Sequence, residues 1–580
     1  MRLAQNPAEL IKRENPINFS WNGKTMHAYE GDVLASALLA NGVTQVGSSF
    51  KYGRPRGIYA AWSDEPNALV TLEDGGLSTP NARATETEVY DGMQVRAAWG
   101  KKLFGIDLRS LFRPIHGAMP AGFYYKTFLS PKFLLPLYEK VLRNFAGFSI
   151  PAAAADSEFY EEMHHHCDVL IVGGGVAGLA AATDLIDSGL DVILLNDRPQ
   201  LGGQWYTDDE GMPDGTTTHS WIQAQEKKLA GKCKIFHRTT AYALHEQNLV
   251  QAAERLQDHL APAQRNPLLP RQRHHKIRSK EIILAAGAYE RGVTFINNDL
   301  PGIMLGNAVQ AYLKLFSVLP GKQIVIFVNN DGGYSLARDI HQAGCTDLKV
   351  VDAREGQHPS LPDGVELLQG YVPLKAKSKN AKLASIVLAG PNGETHELPC
   401  DCLTLSCGYD PIVHLSCHRN NRPKWSEELA CFLPTATDSF HTAGAMNGYF
   451  KAAAAAQSGR GAASIALKRL GVSTSREEPA PAMRNNFGIK PLFVTSPDDN
   501  QGPEKYNGKK FVDMQNDVTT ADIELALREN YRSIEHIKRY TAVGFGTDQG
   551  KTSNVIALNH VAQQLNMQLN EVGTTTYRPP

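Results

Sequence analysis

Hydrophobic and polar residues alternate along the chain in a way that predicts two α/β units. From Cys167 the sequence runs through an apolar segment (CDVLIV), a glycine turn (GGGVAG), a helix-like segment (LAAATDLIDSG) and a second apolar segment (DVILLN). Apolar strands separated by a helical period are typical of a βαβ unit. A second strand, turn and helix begin at QIVIFV, residues Gln323 to Val328. We therefore predict an α/β fold with a Rossmann-like domain and a second Rossmann-like domain inserted in it.

The segments on either side of these units carry other patterns. The first hundred residues alternate strand-like runs with glycine and proline turns around one helical segment, GDVLASALLANG. Near the C-terminus, ADIELALRENYRSIEHIKRY has helical periodicity and predicts a small helical domain. The intervening connector ends in EFYEEMHHHC. We expect its histidines, His164 to His166, to face solvent and not a metal, because successive side chains of an extended chain point to opposite faces.

Charge and composition narrow the classes of partner. Lys and Arg number 59 against 60 Asp and Glu, so no global field attracts nucleic acid. The densest basic stretch, from Arg271 to Lys280, is predicted to be a solvated loop. No apolar run of about eighteen residues predicts a membrane helix, and the N-terminus lacks an apolar signal region, so a cytoplasmic location is expected. The eight cysteines form no Cys-x-x-Cys pair, and Cys400 and Cys402 are expected to be reduced, buried thiols.

The glycine turn after the first strand is the strongest chemical signal. Gly173, Gly175 and Gly178 follow the pattern Gly-x-Gly-x-x-Gly, directly after an apolar strand and at the start of a helix. The first glycine permits a tight turn, the second lets a pyrophosphate approach the backbone, and the third allows close helix–strand packing. Because the helix start at Val176 and Ala177 attracts an anion, we predict a dinucleotide site here.

The end of the second strand identifies the residues expected at the ribose. A carboxylate is usual at this place, but this chain has Asn196, followed by Asp197 and Arg198. Asn196 is able to hydrogen-bond ribose hydroxyls without repelling a 2′-phosphate, and Arg198 would favour NADP. NAD is our expectation, with NADP left open.

Two further segments, PQLGGQW (199–205) and LAAGAYERG (284–292), resemble those of the two-dinucleotide-binding-domain flavoproteins. In that family a Gly-Asp pair near the end of the domain hydrogen-bonds the ribitol of FAD. Here Gly444 is followed by Ala445, which favours NAD over FAD. The expected cofactor site then also includes Gly203, Gln204, Thr240, Ala241, Gly287 and Gly444.

The turn of the second unit differs from that of the first. NNDGGYS, residues Asn329 to Ser335, lacks the glycine pattern. Asn330, Asp331 and Tyr334 would crowd the place where a backbone meets a pyrophosphate. We predict that the second unit binds no dinucleotide in the usual way.

Three stretches together resemble the alpha subunit of heterotetrameric sarcosine oxidase: SFKYGRPRGIYAAWSDEPNALV, AAGAYERGVTFINNDLPGIMLGNAVQAYL, and FVDMQNDVTTADIELALRENYRSIEHIKRYTAVGFGTDQGKTSN. The resemblance extends over essentially all 580 residues, in the same order. It implies the following domains: residues 1–100, a β-grasp ferredoxin-like domain without iron–sulfur ligands; 101–166, a connector; 167–320, the dinucleotide-binding domain; 321–395, the inserted Rossmann-like domain; 396–473, the return to the first domain; 474–508, a linker; and 509–580, a helical domain resembling a [2Fe–2S] module without its cysteines.

Relatives that form cyanide or oxidise opines carry iron–sulfur clusters, and the resemblance indicates where their cysteines would stand. In this chain those positions are Ala60, Glu65, Ala68, Asp513, Gln515, Asp548 and Ser553. A cluster needs about four thiolates, and these loops have none. Both modules are therefore expected to keep their folds without clusters.

The second module has a phosphate-binding composition in place of the cysteines. Lys551, Thr552 and Ser553, with Lys538 and Arg539 nearby in sequence, are expected to cradle a phosphate. The resemblance implies an FMN shared with a partner subunit, and we predict it at this module. A capped helix start with solvated lysines is the alternative.

The resemblance also implies where the chemistry takes place. Amine oxidation is expected at an FAD on a smaller flavoprotein (beta) subunit, with electrons passing to FMN and then to oxygen, and with accessory subunits present. The substrate class is sarcosine or a related N-methyl amino acid. No catalytic residue is assigned to this chain, and Asp410 and His441 are expected to be structural.

Two other interpretations are kept. One is an FAD-dependent dehydrogenase of opines or other imino acids, and the other is a non-catalytic or truncated scaffold. The family's folate-binding domain would follow GTTTYRPP. We expect it to be a separate polypeptide, lost, or interrupted.

Overall fold

The computed structural model describes residues 1–49, 51–74, 77–98, 102–103, 106–107, 121, 132–136, 152, 154–207, 211–473, 484, 487–495 and 507–574. Most of the expected connector and of the expected linker lies outside these ranges. The chain divides into two compact units. The first contains Met1–Asp156, Glu290–Gly408 and Lys490–Thr575, and the second contains Ser157–Tyr289 and Tyr409–Ile489.

The N-terminal part of the first unit is a mixed sheet covered by one buried helix. Its elements are β1 (Lys12–Trp21), β2 (Lys24–Glu30), α1 (Leu34–Ala40), β3 (Gly47–Ser48), β4 (Pro55–Arg56), β5 (Leu69–Asp74), β6 (Leu77–Arg83), β7 (Gln94–Ala97), β8 (Lys102–Leu103) and β9 (Ile106–Asp107). The five-stranded sheet has the order β2-β1-β7-β5-β6, in which β1 and β7 are parallel. Helix α1 lies in the predicted segment, and its leucines and alanines form part of the core because six of its seven residues are buried.

The second unit opens with the predicted βαβ arrangement. Its first elements are β10 (Tyr160–Val172), α2 (Val176–Leu185), β11 (Val192–Leu195), α3 (Thr218–Leu229), β12 (Lys234–Phe236), β13 (Thr239–His245), β14 (Leu249–Glu254), β15 (Gln272–Leu284) and β16 (Ala288–Glu290). Strands β12, β11, β10 and β15 are parallel neighbours in that order. Strands β13 and β14 form an antiparallel hairpin, and β14 pairs antiparallel with the first half of β15.

The inserted Rossmann-like domain belongs to the first unit. Its elements are β17 (Ile303–Leu305), α4 (Gly306–Phe316), β18 (Gln323–Val328), α5 (Gly333–Gln342), β19 (Asp347–Asp352), β20 (Glu366–Gln369), β21 (Val372–Lys379), β22 (Lys382–Ala389), β23 (Thr395–Pro399) and β24 (Cys402–Ser406). Its parallel sheet has the order β17-β24-β18-β19-β20. Because β17 and β24 pair within this sheet, the domain extends beyond the expected limits of residues 321–395.

The chain then returns to the second unit and completes its sheet. The elements are β25 (Tyr409–Pro411), α6 (His414–Cys417), β26 (Lys424–Ser426), β27 (Cys431–Leu433), β28 (His441–Thr442) and α7 (Ala452–Arg469). Strand β28 is parallel to the last residues of β15. In the parallel order β12-β11-β10-β15-β28, the chain adds β11 and β12 on one side of β10, and then β15 and β28 on the other side. The point at which the chain changes sides is where open α/β sheets bind ligands. Helices α2 and α7 approach closely, since a Cβ on Gly459 would lie 2.0 Å from the carbonyl oxygen of Ala177.

The C-terminal module consists of β29 (Phe511–Asp513), β30 (Val518–Thr519), α8 (Thr520–Arg528), α9 (Ile534–Thr541), α10 (Asn554–Leu565) and α11 (Leu569–Val572). The predicted helical segment forms two helices, α8 and α9. They are separated at Asn530, whose φ of +67° is incompatible with a continuous helix. Thr519 begins α8 with a reciprocal capping box to Asp522.

One local prediction was wrong, and another was correct for two of its three residues. The basic stretch from Arg271 to Lys280 is not a loop: it is most of β15, because it pairs with β10 on one side and β14 on the other. His164 to His166 are also part of a paired strand, β10. His165 is half-buried and contacts His275 at 2.9 Å between ring nitrogens, whereas His164 and His166 are exposed.

Three findings concern the described residues as a group. Among the described residues, no group of three or more His, Cys, Asp or Glu side chains is placed to hold a metal ion. No helix among them combines the length and apolar character needed to cross a bilayer. All eight cysteines are free thiols, and Cys400 and Cys402 are buried as predicted.

Candidate nucleotide site and C-terminal module

The three glycines of the predicted turn differ in how much space a side chain would find there. Gly173 has a φ of +114°, and a Cβ there would lie 2.2 Å from the carbonyl oxygen of Ala285. A Cβ on Gly178 would lie 1.9 Å from the carbonyl oxygen of Gly173. Gly175 is different, because its nearest neighbour would be the Cα of Gly203 at 3.9 Å. The first and third glycines are therefore required by the fold, whereas the second leaves open backbone that a pyrophosphate is able to approach.

A second pair of glycines, Gly202 and Gly203, lies against this turn. Gly175 and Gly202 form a parallel bridge, and the N–H of Gly202 donates to the carbonyl of Gly174 at 2.8 Å. A Cβ on Gly174 would lie 2.5 Å from Oδ1 of Asn196. The spacing of the glycines does not single out Gly174 or Gly202, although Gly202 lies in the LGG segment. The turn is thus a layered glycine structure built from residues 173–178 and 202–203.

Helix α2 begins at this open backbone. Its N-cap, Gly175, is extended and has no side chain to cap the helix, so the first N–H groups and the helix dipole are directed at the same place. Val176 and Ala177 are buried in the first turn. Gly444 packs against Ala177: a Cβ on Gly444 would lie 2.6 Å from that of Ala177. Gly444 is therefore a packing residue of the helix start.

The residues at the end of β11 have different environments. Asn196 is 2% exposed, and its amide donates to the carbonyls of Arg198 and Gln200 at 2.7 and 2.9 Å. The guanidinium of Arg198 donates to the carbonyl of Gly203 at 2.9 Å. Both side chains hold the loop that carries the second glycine pair. Asp197 is exposed, which leaves its carboxylate as the acidic group of this strand end that faces solvent.

The remaining predicted residues surround the same strand ends. The N–H of Thr239 donates to the carbonyl of Asn196 at 2.8 Å, so β13, with the half-buried Thr240 and Ala241, starts beside the end of β11. Gln204 donates from its amide to the carbonyl of Ala288 at 3.2 Å. Gly287 has a φ of +83°, and a Cβ there would have no neighbour within 4 Å.

His441 and Glu281 form a structural pair elsewhere in this sheet. Nε2 of His441 lies 2.8 Å from the carboxylate of Glu281, which Arg469 also contacts at 3.0 Å. Both side chains of the His–Glu pair are nearly buried. The pairing favours the structural role expected for His441.

The turn of the inserted domain is filled by its own polar groups. Asn330 donates to the carbonyl of Ser406 at 3.0 Å and accepts from the N–H of Gly332 at 2.8 Å. At the end of β19, Asp352 accepts from the hydroxyl of Tyr334 at 2.7 Å and pairs with Arg354 at 2.8 Å. The polar groups of this turn and of the end of β19 are thus engaged with one another. That this unit binds no dinucleotide in the usual way stays a prediction.

Three of the residues predicted to cradle a phosphate, Lys551, Thr552 and Ser553, form one tight turn before α10, whereas Lys538 and Arg539 lie in α9. Nζ of Lys551 donates to the carbonyl of Asp548 at 3.0 Å, and the hydroxyl of Thr552 donates to its carboxylate at 3.3 Å. Lys551 and Ser553 are 8% and 1% exposed, and burial lowers the pKa of Lys551 to about 8. Arg539 is exposed and pairs with Glu535 of its own helix at 3.3 Å.

In the C-terminal module, the residues at the positions where cluster-binding relatives would have cysteines are buried and polar. The N–H of Gly544 donates to the carboxylate of Asp513 at 2.7 Å. Burial, followed by the neighbouring Asp548 carboxylate, raises the pKa of Asp513 to about 6. Gln515 donates to the hydroxyl of Thr547 at 2.8 Å. These positions of the module thus form a hydrogen-bonded core of oxygen and nitrogen groups.

Comparison with known families agrees with this architecture. Residues 168–274 match the family of FAD dependent oxidoreductases, residues 14–99 match the 2Fe-2S iron-sulfur cluster binding domain, and residues 507–580 match the sarcosine oxidase A3 domain. The chain is therefore an α/β protein of the Rossmann-like FAD oxidoreductase fold, preceded by a ferredoxin-type domain and followed by a small helical domain. This confirms the predicted fold class.

The particular proteins to which this chain is similar are alpha subunits of sarcosine oxidase. It is 38% identical to the alpha subunit of sarcosine oxidase from Rhizobium meliloti (strain 1021), over 98% of this chain and 57% of that protein. It is 32% identical to the alpha subunit of sarcosine oxidase from Corynebacterium sp. (strain P-1), over 99% of this chain and 56% of that protein. The predicted resemblance is confirmed, and the chain spans rather more than half the length of these relatives.

Two further similarities are more distant. A subunit of opine oxidase from Rhizobium meliloti (strain 1021) is 24% identical over 71% of this chain and 96% of that protein. The crystal structure of L-proline dehydrogenase from P. horikoshii superimposes with a TM-score of 0.69 at 18% identity, covering 99% of this chain and 98% of that one. The latter similarity concerns the fold.

Proposed function

We propose that this chain is the nucleotide-binding subunit of a hetero-oligomeric oxidoreductase that oxidatively demethylates sarcosine or a related N-methyl amino acid. The observation that carries the proposal is the 38% identity, over 98% of the chain, with the alpha subunit of a sarcosine oxidase. The similarity to an opine oxidase subunit supports the same broad class of amine oxidation. The catalytic residues for the amine lie, in this proposal, on a smaller flavoprotein subunit.

NAD is the proposed ligand of the glycine turn. The open backbone at Gly175 and the uncapped start of α2 suit a pyrophosphate. The exposed carboxylate of Asp197 suits a ribose with free hydroxyls and would repel a 2′-phosphate. Arg198, which would otherwise attract that phosphate, is engaged with the carbonyl of Gly203. When bound, NAD would supply a nicotinamide that accepts a hydride, or it would serve only as a structural ligand.

FAD in this same site is the second candidate. The match of residues 168–274 to FAD dependent oxidoreductases favours it. That match ends well before Ala445, where a ribitol-binding carboxylate would be needed. If FAD occupied the site, the chain would suit the alternative of an opine or imino acid dehydrogenase subunit.

FMN is proposed at the C-terminal module, shared with the partner subunit. The match of residues 507–580 to the sarcosine oxidase A3 domain supports a role for this module in such an enzyme. Thr552 and Arg539 are more exposed than Lys551 and Ser553, so they would meet a phosphate first. With FAD on the partner and oxygen as the final acceptor, the two flavins supply the electron-transfer chemistry.

The first experiment identifies the cofactors. The chain is purified alone and together with its partner subunits, then denatured, and the released nucleotides are identified by chromatography with mass detection. We expect NAD from the chain alone and FMN only from the complex. A Gly175→Val variant should release no NAD, whereas Gly461→Ala, in α7, should release as much as the unchanged protein. FAD from the chain alone would replace the NAD assignment by the dehydrogenase alternative.

The second experiment tests the reaction. The complex is supplied with sarcosine, other N-methyl amino acids or opines, and oxygen consumption is followed. Consumption that depends on an N-methyl amino acid supports the proposal. Consumption that depends only on opines, or none in a complex that carries both flavins, contradicts it.

A further inference from the structure

The loop that precedes β5 encloses the carboxylate of Glu65. This side chain is 0% exposed. One of its oxygens accepts the backbone N–H groups of Tyr59 and Ala60 at 2.7 and 2.6 Å. The other accepts those of Asn67 and Ala68 at 2.7 and 2.9 Å. Four main-chain donors from both arms of one loop thus converge on a single buried anion.

Hydrogen bonds that the carbonyl groups of the same loop accept hold the loop in place. The carbonyl of Tyr59 accepts the N–H of Leu305 at 2.8 Å, and the carbonyl of Ala60 accepts the hydroxyl of Tyr312 at 3.0 Å. The carbonyl of Ala68 accepts the N–H of Ala84 at 2.9 Å. The carbonyl of Tyr59 and the N–H of Ala60 belong to one planar trans peptide, so the contact with Leu305 directs that N–H inward. The contacts of the Ala60 and Ala68 carbonyls anchor the two arms of the loop.

These donors need an acceptor. A buried N–H without a partner costs about 1–3 kcal/mol, and four N–H groups in one dry loop cannot all be satisfied by a neutral alanine or a single water molecule. Residues 14–99 match a 2Fe-2S cluster binding domain, and clusters of that kind are anions that accept hydrogen bonds at sulfur. Ala60 and Ala68, both 0% exposed, have no thiolate to hold such a cluster.

We propose that residues 59–68 form an anion-binding loop whose ligand is the chain's own Glu65 carboxylate, so that removing this side chain creates a binding site for small carboxylates such as formate. The charge that a cluster would bring is supplied by a residue inside the loop. The inference concerns this loop and the contacts that hold it within the first unit, and it does not depend on the function proposed for the whole enzyme.

The test is a chemical rescue of Glu65→Ala in the full-length protein. Thermal unfolding is recorded at pH 8, where Glu65, whose pKa burial raises to about 7, is ionised in the unchanged protein. We expect a lower Tm for Glu65→Ala, and a saturable rise of at least about 2–4 °C when sodium formate replaces sodium chloride at equal ionic strength. The unchanged protein should show no such rise.

Leu69→Ala is the matched control. Leu69 is 1% exposed and lies four residues away in the same segment, but its removal leaves a cavity where an apolar side chain without hydrogen-bonding groups stood. Formate should not raise the Tm of this variant. Equal rises in all three proteins would indicate a general salt effect and would overturn the proposal, as would a Glu65→Ala variant that formate leaves unchanged.

Glu65→Gln keeps the test decisive if Glu65→Ala does not fold. Glutamine fills the same volume, but its NH₂ group would face two N–H donors. We expect a lower Tm than that of the unchanged protein, with no response to formate because the site is filled. A Glu65→Gln variant as stable as the unchanged protein would show that the loop does not require an anion and would overturn the proposal.

Discussion

Arg56 and Asp299 form a buried ion pair between residues that are 243 positions apart. Their side chains are 3% and 0% exposed. Arg54 donates to the same carboxylate at 2.6 and 2.7 Å, and Arg56 also donates to Asp517 of the C-terminal module. Within the first unit, one charge network therefore connects the N-terminal domain, the inserted domain and the C-terminal module.

Replacing Asp299 should be strongly destabilising. In Asp299→Asn two guanidinium groups would remain without their shared carboxylate, and breaking a buried ion pair from one side costs about 3–5 kcal/mol. Urea unfolding should show this loss. Glu30→Gln is the control, because it breaks the exposed pair of Lys12 and Glu30, where solvent screening leaves a much smaller effect. Similar losses in both variants would contradict the prediction.

The glycine turn should separate folding from binding. Gly175 has an extended backbone, and a Cβ added there would meet its nearest neighbour only at 3.9 Å. Gly175→Val should therefore unfold at the same temperature as the nucleotide-free unchanged protein, but it should bind no dinucleotide and so lack the stabilisation that the bound ligand provides. Gly178→Ala should lose stability as well, because its Cβ would overlap the carbonyl of Gly173. Thermal unfolding and released nucleotide are measured together. Retained nucleotide in Gly175→Val would contradict this assignment.

Gly461→Ala provides the opposite control. Gly461 lies in α7, and a Cβ there would meet nothing within 4 Å. Alanine is favoured over glycine in a helix by about 0.5–1 kcal/mol. This variant should therefore be as stable as the unchanged protein or slightly more so, with its nucleotide retained.

Asp197 should decide between NAD and NADP. Its exposed carboxylate is placed to accept from ribose hydroxyls, and a charge-assisted hydrogen bond is worth about 1.5–3 kcal/mol. Asp197→Asn should weaken NAD binding by roughly tenfold or more while weakening NADP binding less. Calorimetric titration of the nucleotide-free protein with both nucleotides measures the ratio. An unchanged ratio would remove Asp197 from the site.

Glu290 should make stability depend on pH. Its carboxyl group is 2% exposed and accepts the N–H of Asn307 at 2.5 Å. Burial raises its pKa from 4.5 to about 8. Between these values the folded protein holds a proton that the unfolded chain has released, so stability falls as the pH rises through this window. Urea midpoints between pH 5 and about 8 should fall less steeply in Glu290→Gln. Parallel curves would contradict the assignment.

The repeating local patterns of the fold were predictable from sequence. The βαβ unit at Cys167, the second unit at Gln323 and helix α1 follow apolar periodicity directly. The basic stretch after Arg271 was not predictable, because its polar side chains conceal a strand whose alternate residues, including His275 and Ile277, are buried. Pairing with two neighbours, and not local composition, determines that strand.

The candidate site was predicted as a set of positions but not as a set of roles. The spacing of the glycines identified the turn, yet only the packing distinguishes Gly175, which is open, from Gly178, which is not. Asn196 was expected at the ribose, but its amide is used by the following loop. The sequence singles out Glu65 only because it stands where cluster-carrying relatives would have a cysteine. That four N–H groups would meet on it depends on the folded path of the loop.

The pairing of Arg56 with Asp517 has a consequence for synthesis of the chain. The two residues are 461 positions apart, and translation at about 5–20 residues per second separates their appearance by on the order of half a minute or longer. During that time the guanidinium of Arg56 has no access to its C-terminal carboxylate. Asp299 emerges sooner and pairs with the same guanidinium, so the N-terminal domain passes through a stage in which Arg56 has one of its two carboxylate partners. Until the C-terminal module is made, the part of Arg56 that Asp517 covers stays open to a chaperone that binds nascent chains.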